Sequence, residues 1–414
     1  MKIAVLLSGG VDSAVALKLL KDQGHELKAF YLKVWLEDEL SFLGNCPWEE
    51  DLSYARSVCD DLGVPLEVVS LQRDYWSLVV SYVIDQIRKG RTPNPDMLCN
   101  STIKFGRFLD MFGNQFDFIA SGHYAKIERV ADQTFLKTSA DRVKDQTYFL
   151  ASLNRTQLKK CLFPLGDRTK AQVRDYAHAQ KLSNAKRKDS QGICFLGKIK
   201  FSDFIKHHFG EKNGDIVELE TGNVLGQHRG YWYFTIGQRK GLGLGSGPWY
   251  VVKKDIELNR VYVSNQVASQ KIDTIKIDQC NWLYDQKVLE ELACRDEPLQ
   301  VKIRHGEKKF FASLSHDHFS HDHFSQDHNN GEGNNDRRQN HFAKDNDDYF
   351  SSQPSQSSSL PSLQKGGWCY LSDGDEGIAM GQFAVFYKGK YCLGSAVIAD
   401  VGKSEKQLAN MKSN

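Results

Sequence analysis

A glycine turn and two cysteines are the residues of this chain best suited to chemistry. The turn is Ser8-Gly9-Gly10-Val11-Asp12-Ser13, set between the apolar run Ile3–Leu7 and a helical pattern. Its glycines let backbone N–H groups turn inward, and the following helix offers its positive end. Such a turn can cradle an anion without a side-chain cation. The common phosphate loop adds a lysine for the β- and γ-phosphates, and here that lysine is missing. A loop that holds pyrophosphate suits cleavage of ATP between the α- and β-phosphates, which is adenylation. The first cysteine, Cys99, closes Gly90-Arg91-Thr92-Pro93-Asn94-Pro95-Asp96-Met97-Leu98-Cys99-Asn100. Two prolines fix the backbone there and bias their predecessors away from helix, so an ordered loop presenting Asp96 and Cys99 is expected. The second, Cys194, lies in Lys188-Asp189-Ser190-Gln191-Gly192-Ile193-Cys194-Phe195-Leu196-Gly197, near Lys186, Arg187 and Lys188. Nearby cations lower a thiol's pKa and favour the reactive thiolate.

These residues need elements that bring them together. From Met1 to about residue 125 short apolar runs alternate with helical patterns: Ile3–Leu7, Leu27–Trp35, Leu66–Leu71 and Phe116–Ser121 read as strands. Val11, Val15 and Leu19 then give one helical face, Leu52, Ala55, Cys59 and Leu62 another, and 76–87 a third helix. This is the α/β pattern of a doubly wound parallel sheet, whose ligand belongs at the carboxyl ends of its strands. From about residue 210 the pattern becomes short strands between glycine-rich turns: Ile216–Leu219, Tyr231–Phe234, Trp249–Val252, Arg260–Val263, Leu299–Arg304, Lys309–Ala312, Gly377–Met380 and Ala384–Tyr387. These predict a small central β-rich domain and a C-terminal β-barrel. The expected boundaries are 1–205, 206–275 and 276–405. Residues 313–367 hold an imperfect repeat, HDHFS-HDHFS-QDHNN, and few aliphatics, so they read as a disordered His/Asp/Ser-rich insertion.

With 414 residues the chain has room for two or three domains. Its net charge of +2 neither announces nor excludes a nucleic-acid partner, because a local basic face suffices. No apolar stretch approaches the ~20 residues that span a bilayer. With no targeting segment ahead of the first strand, a cytoplasmic protein without a membrane partner is expected. The nine cysteines are odd in number and form no C-x-x-C pair, which argues against a disulfide framework and against a ribbon-type zinc site. Cys46, Cys59, Cys161, Cys280, Cys294, Cys369 and Cys392 read as structural.

The glycine turn resembles the pyrophosphatase loop of adenylating ATPases. Taken with the proline–cysteine and second-cysteine motifs, the chain resembles the bacterial tRNA-specific 2-thiouridylases along nearly its whole length. The likeness includes Ser121-Gly122-His123-Tyr124-Ala125, Lys144-Asp145-Gln146, the 226–230 and 235–243 stretches, and Gly381-Gln382 before Ala384–Tyr387. It implies an adenine nucleotide alpha hydrolase-like N-terminal domain. It also implies ATP-dependent 2-thiolation of the wobble uridine of tRNA. Leu6, Leu7, Ser8, Gly9, Gly10, Val11, Asp12, Ser13, main-chain atoms of Leu32, and Gly122 would hold ATP, with Mg2+ on its phosphates. Cys194 would carry a persulfide, and Cys99 would help release its sulfur, leaving a Cys99–Cys194 disulfide. Asp96 would orient groups or move a proton. Asn94, Pro95 and Asp96 would shape the base pocket. His123, Lys144, Asp145, Gln146, Arg304, His305 and Gln382 would meet tRNA. The partners implied are the Lys, Glu and Gln tRNAs and a sulfur donor, either a cysteine desulfurase or a relay protein. Where the family has proline before Gly-Gln, this chain has Ala379-Met380. Arg239 and Lys240 read as a solvated turn. The other readings are a nitrogen-transferring or lysidine-forming adenylating enzyme, which needs no paired cysteines, and a non-catalytic tRNA-binding protein or histidine-rich metal buffer.

Overall fold

The computed structural model describes residues 1–34, 48–188, 200–266, 271–315 and 366–402. Cys194 with its motif from Asp189 onward, Cys46, and the histidines between 316 and 365 lie outside the described residues.

The N-terminal sheet is wholly parallel. It contains β1 (Lys2–Leu6), β2 (Glu26–Lys33), β3 (Leu66–Ser70), β4 (Phe118–Ser121) and the two-residue β7 (Cys161–Leu162), in the order β3-β2-β1-β4-β7. Chain order runs one way from β1 to β3 and the other way from β4 to β7. The sheet therefore reverses between β1 and β4, and a ligand crevice opens at their carboxyl ends. Helix α1 (Val11–Asp22) buries Val11, Ala14, Val15, Leu17 and Leu20 on one face of the sheet, beside α2 (Trp48–Leu62). On the other face, Val83 and Ile87 of α3 (Ser81–Arg88), Met97 of α4 (Pro95–Leu98) and Ile103 and Phe105 pack around Phe30. Pro95 sits at the first position of α4, where its missing N–H is an orphan anyway. Asp96 and Cys99 are therefore on helical backbone, not on the expected loop. The helix continues through Cys99–Arg107 in wide, i to i+5 turns.

The central sheet has the order β10-β11-β8-β9, from β8 (Gly214–Glu218), β9 (Val224–His228), β10 (Tyr250–Asp255) and β11 (Arg260–Ser264). Tyr231–Tyr233, expected as a strand, is a 3-10 turn entered through Gly230 at φ +136. Tyr231 and Phe234 are buried in the small central core, so the aromatic run reflects burial without extension.

The C-terminal barrel closes through β12 (Ile272–Trp282), β15 (Gly367–Asp375), β14 (Phe310–Ser315), β13 (Leu299–Lys302), β16 (Phe383–Lys388) and β17 (Tyr391–Gly402), with β17 pairing back to β12. Residues 313–315 and 367, expected inside the insertion, belong to β14 and β15. Gly377–Met380, expected as a strand, is a turn. A hairpin from the N-terminal half, β5 (Lys126–Val130) and β6 (Gln133–Lys137), adds to this sheet through Lys137 opposite Tyr391. One continuous hydrophobic cluster accordingly runs from Phe30 and Cys99 to Phe386 and Ile398.

Candidate active site

The crevice at the sheet reversal contains the glycine turn. Leu7, buried after β1, donates its N–H to the Phe30 carbonyl at 2.9 Å. The chain then turns at Gly9, with φ +76. A Cβ on Gly9 would lie 2.2 Å from the Asp51 carbonyl oxygen and 3.1 Å from Arg187 Nη1. Gly10 caps α1 and offers no side chain to the helix's first amides, so those donors remain available to an anion. Ser13 Oγ ties the turn together: it donates to the Gly10 carbonyl at 3.0 Å and accepts from Ser8 N–H at 3.2 Å. Gly122, at the end of β4, touches the same helix turn, where a Cβ would sit 2.7 Å from Ser13 N. Leu32 is half-buried in β2, opposite Val69.

Charge reaches this turn from distant parts of the chain. Lys170, at the start of helix Lys170–Ala179, places Nζ 2.7 and 2.8 Å from the two Asp12 carboxylate oxygens. Tyr124 OH donates to Asp12 at 2.9 Å. Asn184 donates to the Gly9 carbonyl at 2.9 Å, and Arg187 pairs with Asp51 while lying over the Tyr54 ring. A lysine from 158 residues later thus reaches the turn, paired with the Asp12 carboxylate. Sequence reasoning missed Lys170 and Asn184, because no local spacing points to them.

Beside this crevice stands the proline–cysteine segment. Asn94 caps α4 by accepting from Met97 N–H at 3.3 Å. Asp96 Oδ1 is buried and has no hydrogen-bond partner among the described residues. Cys99 is only 2% exposed. Burial pushes its thiol pKa up, Lys104 opposes that, and the Asp96 carboxylate adds to it. Cys99 is therefore at rest as a protected thiol, and Lys104, one wide helical turn along, is the cation at hand to favour its thiolate. Lys104 acts as well on His123, a half-buried ring whose pKa is held well below the ordinary value by burial and by that lysine. Its Nδ1 lies 2.7 Å from Ser121 Oγ, and its ring packs against Phe105 and Phe163. A neutral His123, Cys99 and the end of β4 therefore share one surrounding. Lys104 was also absent from the expected site, since its place beside Cys99 depends on the wide helical turn.

The barrel closes over the same segment. Thr92 donates its N–H to the Met380 carbonyl at 2.8 Å. Gly381 has φ +89, and a Cβ there would lie 2.9 Å from Arg91 Cβ. This turn, containing Ala379-Met380 where the family pattern has proline, sets Met380 and Gly381 against Arg91 and Thr92, and Gln382 follows it in sequence. Lys144 is exposed, but Asp145 is turned inward. Asp145 accepts from Ser139 N–H at 3.0 Å and Thr147 Oγ1 at 2.8 Å, and pairs with Lys302 at 3.2 Å, both side chains being at most 4% exposed. Its carboxylate is committed to these interior partners, where direct contact with tRNA was expected. Gln146 exchanges bonds with the Tyr124 backbone, accepting at 3.0 Å and donating at 2.8 Å. His305 stacks on Phe149 at 4.6 Å and bonds the Asp145 carbonyl at 3.1 Å, and Arg304 pairs with Asp375. Lys144, Gln146 and His305 are thus gathered around one buried ion pair.

Comparison with known proteins adds the following. Residues 1–198 match the tRNA methyl transferase HUP domain, residues 202–265 the tRNA methyl transferase PRC-barrel domain, and residues 353–398 the aminomethyltransferase beta-barrel domain. The tRNA-specific 2-thiouridylase MnmA of Parabacteroides distasonis is 52% identical over 265 residues, covering 64% of this chain and 74% of that protein. The tRNA-specific 2-thiouridylase MnmA of Porphyromonas gingivalis is 48% identical over 309 residues, 74% of this chain and 85% of that one. The tRNA-specific 2-thiouridylase MnmA 2 of Bacteroides fragilis is 45% identical over 319 residues, 77% of this chain and 89% of its own.

Proposed function

This chain belongs to the tRNA-specific 2-thiouridylase family, and from that premise we propose how its residues replace a tRNA uridine oxygen by sulfur. The observation that carries the reading is the meeting of an anion-cradling turn with a cysteine–lysine–histidine group at one sheet reversal. The matched domains bear the name of methyl transfer, but a methyl transferase has no need of an ATP turn beside a protected thiol.

ATP lies with its phosphates on the uncapped amides at the start of α1, with Gly122 leaving room beside them. Its α-phosphate accepts the uridine 2-carbonyl oxygen, and pyrophosphate departs. That step is needed because a carbonyl oxygen is otherwise a poor leaving group. Mg2+ is expected with the phosphates. Such an ion would arrive on the nucleotide's phosphates. The target base leaves the stack to expose its 2-carbonyl, and Asn94, Pro95 and the unpaired Asp96 Oδ1 receive it. A persulfide on Cys194 attacks C2 through its outer sulfur, and AMP leaves with the former carbonyl oxygen. The Cys99 thiolate then attacks Cys194 Sγ. A Cys99–Cys194 disulfide forms, and the electron pair of the broken S–S bond passes to the sulfur now on C2. A thiol reductant resets the pair. Lys104 favours the Cys99 thiolate, and the His123–Phe105–Phe163 group lines the approach. Asp145 serves as a positioning residue, holding Lys144, Gln146 and His305 through Lys302. Lys, Glu and Gln tRNAs are the proposed substrates, and a desulfurase or relay protein is the donor. No helix of the described residues is long and apolar enough to cross a membrane, and the cytoplasm, which holds ATP and tRNA, is the proposed setting.

The oxygen transfer is tested with tRNA carrying 18O at the uridine 2-position. AMP should acquire one 18O per thiouridine formed. Unlabelled AMP beside thiouridine would rule out adenylation of that oxygen.

A further inference from the structure

Where the central domain meets the N-terminal domain there is a cleft of about 150 Å³. One side is formed by Arg91, Pro93 and Pro95, the other by Trp232, Phe234 and Lys254. The two domains are held together there by Tyr231, whose hydroxyl donates to the Arg88 carbonyl at 2.6 Å. Lys254, on β10, carries a half-buried amine that the mechanism above does not use. Its Nζ donates to the Phe234 carbonyl at 3.1 Å. No carboxylate pairs with it among the described residues, and burial alone sets its chemistry. An ammonium buried with one carbonyl and no counter-ion costs free energy. The cleft therefore has flat, apolar walls, two cationic side chains and no acid. Such a space fits a planar heterocycle that presents hydrogen-bond acceptors, and it has room for one ring system, not for a base pair.

We propose that this cleft receives the base of a nucleotide adjoining the target uridine, with its ring against Trp232 and Phe234 and an acceptor atom on Lys254 Nζ. This rests on the reading that the target uridine is received at Asn94–Asp96. Pro93 and Pro95 flank Asn94, so the cleft shares a wall with that pocket, and the next base along the strand is the group nearest to hand. Aromatic stacking of an unstacked base and a donated bond to its edge are how proteins hold single-stranded RNA.

The test uses the full chain with unmodified tRNA, varying tRNA against thiouridine formation for wild type, Lys254→Met, Lys254→Arg and Lys253→Met. Lys253, exposed on the same strand, controls for general loss of charge. Lys254→Met should raise KM for tRNA about tenfold, the scale of one bond to a charged donor, with kcat and KM for ATP within about twofold. Lys254→Arg should recover much of the loss, and Lys253→Met should change KM little. In a second measurement, tRNA carrying 5-iodouridine on either side of the target is irradiated on the enzyme, and a crosslink from one of the two positions should map to Trp232 or Phe234. An unchanged tRNA KM in Lys254→Met, an equal rise in Lys253→Met, or crosslinks only outside the cleft would overturn the proposal. Absence of thiouridine from wild type would instead overturn the functional reading beneath it.

Discussion

Replacing Lys254 by methionine should stabilise the protein near neutral pH. Burial lowers the Lys254 pKa from the ordinary 10.5 to about 8. At pH 7 the amine is protonated in both the folded and unfolded chain, and folding bears the full cost of burying the charge. The difference between 10.5 and about 8 corresponds to an upper limit of about 3 kcal/mol. The side chain keeps some exposure, and screening brings the expected value to about 1–3 kcal/mol. The sign follows from proton counting. Between about 8 and 10.5 the unfolded chain binds more protons than the folded one, so stability rises with pH in that window. Arg91 is the other cationic side chain of the cleft, on the facing wall. Methionine keeps the length and apolar stem and removes the charge. The assay is thermal unfolding at pH 7 and at pH 9.5 for wild type and Lys254→Met. The variant should unfold about 1–4 °C higher at pH 7, and its advantage should shrink at pH 9.5. A variant less stable than wild type at pH 7, or an advantage that does not change with pH, would refute the reasoning. Retention of a destabilising buried lysine is what a ligand-binding role would require.

Three further outcomes are expected. Asp145→Asn leaves the Lys302 ammonium buried beside a neutral amide. It should cost about 3–5 kcal/mol, read by urea unfolding, whereas the double change Asp145→Asn, Lys302→Met should recover much of that loss. Gly122→Ala forces a methyl to within 2.7 Å of Ser13 N. It should weaken ATP binding at least tenfold by calorimetric titration while the fold, read by circular dichroism, stays intact. Lys104→Gln removes the cation that opposes the rise in the Cys99 thiol pKa. The rate of Cys99 alkylation by iodoacetamide should then fall several-fold at pH 8, and an unchanged rate would show that Lys104 does not act on that thiol.

Much of the architecture was legible from local pattern. The apolar runs at Ile3, Leu27, Leu66 and Phe116 read as parallel strands between helices, whereas the reversal between β1 and β4 depends on the strand order, which local pattern does not give. The turn at Ser8–Ser13 declared its chemistry because glycine and a helix start are local features. What was not legible depended on distance or on backbone detail. The 126–137 hairpin joins a barrel built mainly from residues beyond 270, and nothing in its own sequence says so. Lys170 reaches Asp12 across 158 residues. The aromatic run Tyr231–Phe234 satisfied burial through a tight turn, which the same residue types would also satisfy as a strand. Prolines 93 and 95 suggested a loop, but Pro95 stands where a helix begins. Asp145 carried a functional motif yet faces inward, because its partner Lys302 lies in the barrel. The alternation that reveals elements does not reveal which charges they bury together.

The central claim is ATP-dependent sulfur insertion through a pair of cysteines. It is tested most directly by incubating the full chain with unmodified tRNA, ATP, Mg2+ and a desulfurase with cysteine, then measuring 2-thiouridine in the digested RNA by mass spectrometry. Wild type should form 2-thiouridine and AMP in equal amounts, and neither Cys99→Ser nor Cys194→Ser should form any. Thiouridine from either serine variant at the wild-type rate, or AMP formed on tRNA with no sulfur incorporated by wild type, would contradict the account.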